Sequence, residues 1–242
     1  MIDVHSHIIP QVDDGSSSIE ETVEMLKEAK QAGFTDIILT SHYMEGYYEN
    51  DVEIINVWKN QLQNVIQNEN IDINLYSGNE IYITEELIDL LGNNTVCTLA
   101  DSRYILLELP FNSNIKYLYN VIFKLKNLNI TPIIAHPERY TYIQKNINEA
   151  EELTQQGCLL QCNFGSIIGT YGKEAKHTRK KLLKENLVHF LGSDCHKPNT
   201  LYKDMKIIMQ KLNKIISKEQ IHNITVKNPK IILENKDKLQ IE

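Results

Sequence analysis

His5 and His7 stand two residues apart near the start of the chain, and Asp13, Asp14 and Gly15 follow shortly after. Imidazole nitrogens and carboxylate oxygens are ligands for divalent metal ions, and side chains two apart in an extended segment share a face. Such a pair can hold one ion together, although a single His-x-His is a weak motif by itself. The same chemical types recur at His42, Glu80, Glu108 and His136, and again at Asp194 and His196. Each of these ends or closely follows a short apolar stretch. So many ligand groups gathered on one rim would be unstable without cations between them, and the pattern therefore predicts a polynuclear metal centre.

The elements that must position these residues alternate regularly. Ser18 to Ala32 places Ile19, Val23, Leu26 and Ala29 near helical spacing, with glutamates in the first turn and Gly33 at the end. Residues 35–41 form a buried-strand pattern that delivers His42, and 73–78 lead to Glu80. Strand patterns at 104–108, 131–135, 158–163 and 188–193 supply Glu108, lead to His136, and deliver Asp194 and His196. Helical patterns fall between them near 52–67, 117–128, 148–156 and 174–185, with closing helices over 204–215 and after Asn228-Pro229. Strands separated by the roughly 30 residues of a βαβ unit predict an α/β barrel, whose site lies at the carboxyl ends of the strands. The loop after His42 carries Tyr43, Tyr47 and Tyr48, which could line an entrance or simply pack.

The chain has 242 residues, 42% hydrophobic and 24% charged, which suits one soluble domain over 1–242. A net charge of -7 argues against a nucleic-acid partner held on a broad basic surface. No basic-then-apolar leader opens the chain, and no apolar run reaches the roughly 18 residues that span a bilayer. The expectation is a cytoplasmic protein without direct membrane insertion. Its four cysteines read as reduced thiols rather than a disulfide framework.

Along nearly the whole chain stand His5-Ser6-His7, Asp13-Asp14-Gly15, Thr40-Ser41-His42, Gly78-Asn79-Glu80, Ala135-His136-Pro137-Glu138-Arg139-Tyr140 and Gly192-Ser193-Asp194-Cys195-His196. In that order they resemble the polymerase-and-histidinol-phosphatase (PHP) superfamily. More narrowly, they are similar to the manganese-dependent protein-tyrosine phosphatases encoded with bacterial capsule and exopolysaccharide genes. The resemblance implies a distorted (β/α)7 barrel of PHP type and three divalent metal ions, manganese first, with iron or zinc also suited to such ligands. It makes His5, His7, Asp14, His42, Glu80, Glu108, His136, Asp194 and His196 the metal ligands, with Glu80 as a bridge and Asp14 preferred to its neighbour Asp13. Arg139 becomes the phosphate clamp, its planar fork matched to two phosphoryl oxygens.

The reaction so implied is hydrolysis of phosphotyrosine by a metal-bridging hydroxide, with Asp194 or His196 protonating the leaving phenolate. The implied substrate is a membrane-associated tyrosine autokinase with a tyrosine-rich tail, acting in capsule and exopolysaccharide synthesis. One departure stands out. Relatives commonly carry an Arg-Pro element after the last Asp-x-His, whereas this chain reads His196-Lys197-Pro198, so Lys197 or Lys203 would have to replace a second arginine as a point charge.

Two other functional readings compete: a small-molecule PHP phosphoesterase of the histidinol-phosphate type, and a noncatalytic metal-binding regulatory module. A third chemistry is suggested by Cys97 and Arg103, which have the Cys-x5-Arg spacing of thiolate phosphatases. That segment has no glycine and its arginine enters a strand, so it is not expected to form a phosphate loop. Cys158, Cys162 and Cys195 are expected to pack, and His177, His189 and His222 lie away from the rim and are read as structural.

Overall fold

The computed structural model describes residues 1–234. The expected domain over 1–242 thus includes residues 235–242, which lie outside the described residues. Strands β1 (Ile2–Asp3), β2 (Asp36–Leu39) and β5 (Asn74–Ser77) form one parallel sheet. A second sheet runs β10 (Phe190–Gly192), β9 (Leu159–Asn163), β8 (Thr131–Ala135), β7 (Tyr104–Glu108), β6 (Glu80–Tyr82), β3 (His42–Met44) and β4 (Tyr48–Glu49). All of its pairings are parallel except the β3–β4 hairpin.

The two sheets are parts of one barrel. Thr40 and Ser41 join β2 to β3, and Gly78 and Asn79 join β5 to β6, so each pair is one stave with a break. At the other seam, Ser6 bridges Cys195 in parallel, the Asp194 amide donates to the His5 carbonyl at 2.8 Å, and the Thr40 amide donates to the Ser6 carbonyl at 3.0 Å. Closure gives the staves β1, β2/β3, β5/β6, β7, β8, β9 and β10 of the expected (β/α)7 barrel. Closing the sheet removes the exposed edges that an open one would leave.

Inside the barrel, Val4, Ile38, Tyr104, Leu106, Ile133, Ala135 and Phe190 form an apolar cluster that Leu99 and Ile232 join. Ile232 belongs to the helix Asn228–Leu233, within the expected closing helices. A larger outer cluster lies between the strands and the helices. There the helix Ile19–Gln31 buries Met25, Leu26 and Ala29, and Ser18 caps it by accepting the Glu21 amide, a contact worth about 1 kcal/mol. The other long helices fall within a few residues of their expected bounds: Val52–Asn68, Leu118–Asn127, Asn148–Gln155, Gly172–Lys184 and Leu201–Leu212.

Candidate metal centre

Period-two geometry brings most ligand candidates to the rim. Leu106 faces the inner cluster, and Glu108, two residues further along β7, ends the strand. Four positions depart from the sequence expectation. His42 and Glu80 do not close strands but open β3 and β6, after the breaks in their staves, and are paired in register with one another. His5 and His7 lie beyond β1, which ends at Asp3, in a segment held only by the Ser6–Cys195 bridge and its neighbouring hydrogen bonds. His136 leaves β8 through a left-handed backbone (φ 33°, ψ 55°), which turns its ring away from the alternation of the strand. Asp194 likewise has a positive φ of 52°.

The candidates converge. His5 Nε2 and His7 Nε2 approach to 3.1 Å, and Glu80 Oε2 lies 3.0 Å from the first and 3.2 Å from the second. The other oxygen of Glu80 sits 3.0 Å from His136 Nε2, so one carboxylate faces two sets of imidazoles. Asp194 Oδ1 is 3.5 Å from His5, His7 and His196. Asp14 Oδ1 is 3.3 Å from His196 Nε2 and 3.5 Å from His42 Nε2. Glu108 completes the rim, 3.7 Å from His136 and 4.0 Å from His42. Three overlapping groups have ligand atoms within 4.8 Å of one another: His7, Asp14, His42 and His196; His5, His7, Glu80 and Asp194; and His42, Glu80 and Glu108.

These residues fit metal ions on their own chemistry. His5 and His7 aim unsaturated ring nitrogens at each other, where at most one can donate. The His42 and His136 Nδ1 atoms are buried without a hydrogen-bond partner. Burial disfavours charge on His5, yet the Glu80 and Asp194 carboxylates outweigh it and raise its pKa to about 9. Burial also opposes ionisation of Asp194, but the surrounding imidazoles hold it at about 2. Glu108 goes the other way: burial, then the adjacent Glu80 charge, push it to about 8. The carboxylates draw positive charge onto the rim, a demand that cations meet by displacing protons.

Partners that orient the ligands were not found in the sequence. Gln161 Oε1 lies 2.9 Å from His5 Nδ1, and the Gln161 amide nitrogen donates to the Cys162 carbonyl and to Asn163 Oδ1. Asn163 Nδ2 donates to Asp194 Oδ2 at 2.6 Å. Both are polar residues two apart at the end of β9, the stave without a histidine or carboxylate at its carboxyl end, and that was the available signal. Asp13 turns out to be such a partner as well. It lies 3.0 Å from His7 Nδ1 and accepts the His42 amide, whereas Asp14 points to the ligand group. Gly15 is required beside them, since an added Cβ would collide with the His7 carbonyl oxygen.

Arg139 follows His136 on a single 3-10 turn and borders a cavity of about 440 Å³ with His42, Glu80, Glu108 and Asp194. Its Nη1 donates to Asp194 Oδ2 at 3.0 Å, and its guanidinium lies 4.8 Å from the Phe111 ring centre and 4.5 Å from that of Tyr171. Phe111 and Tyr171 had no assignment from sequence. Lys197 and Lys203, the substitutes considered for a second arginine, do not line this cavity: Lys197 donates to the Gly15 carbonyl at 2.7 Å, and Lys203 lies 3.6 Å from Glu28. Of the loop tyrosines only Tyr48 lines it, stacked on His42 at 5.8 Å, while Tyr43 is buried and Tyr47 is exposed.

The thiol alternative fails on position and charge. Cys97 is buried and burial pushes its pKa to about 12, while Arg103 precedes β7 at the opposite end of the barrel. Cys158 and Cys195 are buried and likewise pushed to about 12, as expected of packed thiols.

A parallel barrel with a buried histidine and carboxylate rim at the carboxyl ends of its strands belongs to the broad class of barrel proteins built around a metal site. A hydrolase of the TatD family from Entamoeba histolytica shares that fold at a TM-score of 0.56 and 13% identity. Much closer is a crystal structure reported for YwqE from Bacillus subtilis and CpsB from Streptococcus pneumoniae, metal-dependent tyrosine phosphatases. Its TM-score is 0.92 at 31% identity, covering 99% of this chain and 96% of that one. Tyrosine-protein phosphatase YwqE of Bacillus subtilis is 32% identical over 235 residues, 97% of this chain and 92% of the relative. CapC of Staphylococcus aureus is 37% identical over 196 residues, 81% of this chain and 77% of the relative. The family model for capsular polysaccharide synthesis, CpsB/CapC, matches residues 1–234. The chain belongs to the CpsB/CapC family.

Proposed function

We propose that this protein is a metal-dependent protein-tyrosine phosphatase that binds three divalent ions, manganese first. The observation that carries the reading is Arg139, fixed by Asp194 and held against two aromatic rings at the edge of a buried His and carboxylate cluster. His5, His7, Asp14, His42, Glu80, Glu108, His136, Asp194 and His196 would hold the ions, with Glu80 as the bridge. When bound, the ions would supply acidified water and neutralise charge on the transferring group.

The chain's own residues do the remaining work. Arg139 uses one donor on Asp194, and a guanidinium has five, so others are free for phosphoryl oxygens. Its fork is positioned before substrate arrives, which lowers the cost of ordering it. Asp194, held ionised by the surrounding imidazoles, is an anchor for Arg139 rather than an acid. Phenolate, with a conjugate pKa of about 10, needs little help to leave. Tyr48, Met44 and Phe111 line the cavity and offer apolar surface to the ring of phosphotyrosine.

The proposed substrate is a membrane-associated tyrosine autokinase of capsule or exopolysaccharide synthesis, supported by the family to which the chain belongs. The protein would reach it from the cytoplasm, and its four free cysteines suit that compartment. Among the described residues no helix is long and apolar enough to cross a membrane.

The test is phosphate release from a tyrosine-phosphorylated peptide by metal-stripped protein, with and without Mn²⁺, beside Arg139→Ala. Metal-dependent release that falls about 10²- to 10³-fold in the variant is expected. No release with manganese, iron or zinc, despite bound metal, discards the reading and points to small phosphoesters such as histidinol phosphate.

A further inference from the structure

The helix Gly172–Lys184 starts one residue after Tyr171, whose ring lines the cavity and lies against Arg139. Its inner face buries Ala175, Thr178, Arg179, Leu182 and Leu183. On the outer face Lys173, Lys176, Lys180 and Lys184 are all exposed. At 3.6 residues per turn these four lie within an arc of about 80°, forming one stripe. Among the described residues none of the four side chains has an ion-pair or hydrogen-bond partner.

The stripe works against the helix that carries it. Lys173 and Lys176 are three apart, Lys176 and Lys180 four apart, and Lys180 and Lys184 four apart, so each neighbouring pair is repulsive. Lys173 also sits in the first turn, where the helix dipole is already positive. Against the net charge of -7 for the whole chain, the stripe is a local reversal of sign. Only Lys184, in the last turn, complements the helix dipole, and the mutual repulsion of the row points to a role outside the helix.

We propose that the stripe docks the acidic flank of the phosphotyrosyl substrate: a stretch of Asp, Glu or further phosphotyrosine next to the residue in the cavity. This rests on the phosphatase reading above. The stripe rises about 16 Å from Lys173 to Lys184, which an extended peptide covers in about five residues. Because its first lysine stands two residues from Tyr171, contact begins close to the phosphotyrosine itself. Charges of this kind, outside the reacting centre, act on encounter and selection and are screened by salt.

The test compares the wild type with a Lys173→Gln, Lys176→Gln, Lys180→Gln, Lys184→Gln variant on two phosphotyrosyl peptides, one with neutral and one with glutamate-rich flanks. The wild type should favour the acidic peptide about tenfold in kcat/KM at low salt, through KM, and lose the preference as salt rises. The variant should show no preference while cleaving the neutral peptide at the wild-type rate. Fluorescence anisotropy with the acidic peptide in unphosphorylated form reads the stripe without catalysis, and binding should vanish in the variant. If the neutral phosphopeptide is not cleaved, the phosphatase reading fails and the anisotropy still decides the stripe. Equal peptide preference in both proteins overturns the proposal. So does capture by phosphatidylglycerol vesicles that is lost in the variant while peptide preference persists, which would assign the stripe to a lipid surface.

Discussion

Leu106 and Glu108 are two residues apart on the same face of β7, yet one lies in the apolar interior of the barrel and the other on the metal rim. The same step separates Ile38 from Thr40 and His42, Tyr76 from Gly78 and Glu80, and Phe190 from Gly192 and Asp194. These staves climb from hydrocarbon to ligand in one register, whereas His136 leaves the alternation of β8 and β9 ends in Asn163. The lower end is complete within the chain, since apolar side chains close-pack against one another. The upper end is not. It buries several carboxylates and imidazoles whose charges the chain balances only in part, in groups that could hold metal ions. Gly192 marks the boundary, because a Cβ there would strike His5 and Gln161.

The contrast makes predictions that separate the two ends. Chelation should abolish phosphate release and lower the melting temperature, and Mn²⁺ at a hundredfold its Kd should restore about 2.7 kcal/mol for each site filled. Thermal melts across a manganese titration check this; a melting temperature indifferent to the metal would break the comparison. Leu106→Ala, at the apolar end, should cost about 2–5 kcal/mol in urea unfolding while metal content per folded chain stays at the wild-type level.

Gln161→Ala should do the reverse. Loss of the partner to His5 is expected to weaken Mn²⁺ affinity about 10- to 100-fold by calorimetry, with a smaller effect on unfolding of the apoprotein. The last effect concerns pH and is confined to acid. His189, next to Phe190 at the apolar end, is buried, and burial lowers its pKa from 6.5 to about 4, while its Nδ1 accepts the Leu160 amide. Between those values the unfolded chain binds a proton that the folded chain refuses. Its contribution to stability is therefore whole above pH 6.5 and is lost as pH falls toward 4, by up to about 3 kcal/mol. His189→Asn keeps an acceptor for Leu160 and should flatten that part of the profile in denaturant titrations at pH 4 to 7.

The barrel and the ligand types were legible because they rest on local rules. Strand patterns such as 104–108 and 131–135 coincide with the observed strands, and eight of the nine ligand candidates fall in the ligand groups, while His136 meets them through Glu80. The breaks were not legible. Nothing in the run from Asp36 to His42 announces that β2 stops at Leu39 and that His42 opens a new segment, because the break is set by hydrogen bonds from Ser6 and Thr40 across the seam. Gln161, Asn163, Phe111 and Tyr171 were missed for a related reason. They act on residues far away in sequence, His5, Asp194 and Arg139, and only closure of the barrel brings them together.

We propose that the rim is one polynuclear centre bridged by Glu80. Metal analysis of manganese-saturated protein, wild type beside Glu80→Gln, tests it most directly, with anomalous scattering to locate the ions. Three ions per chain are expected at the His and carboxylate rim in the wild type, and fewer, with activity lost, in the variant. A saturated wild type holding a single ion, or a Glu80→Gln protein that keeps all its metal and its activity, would contradict it.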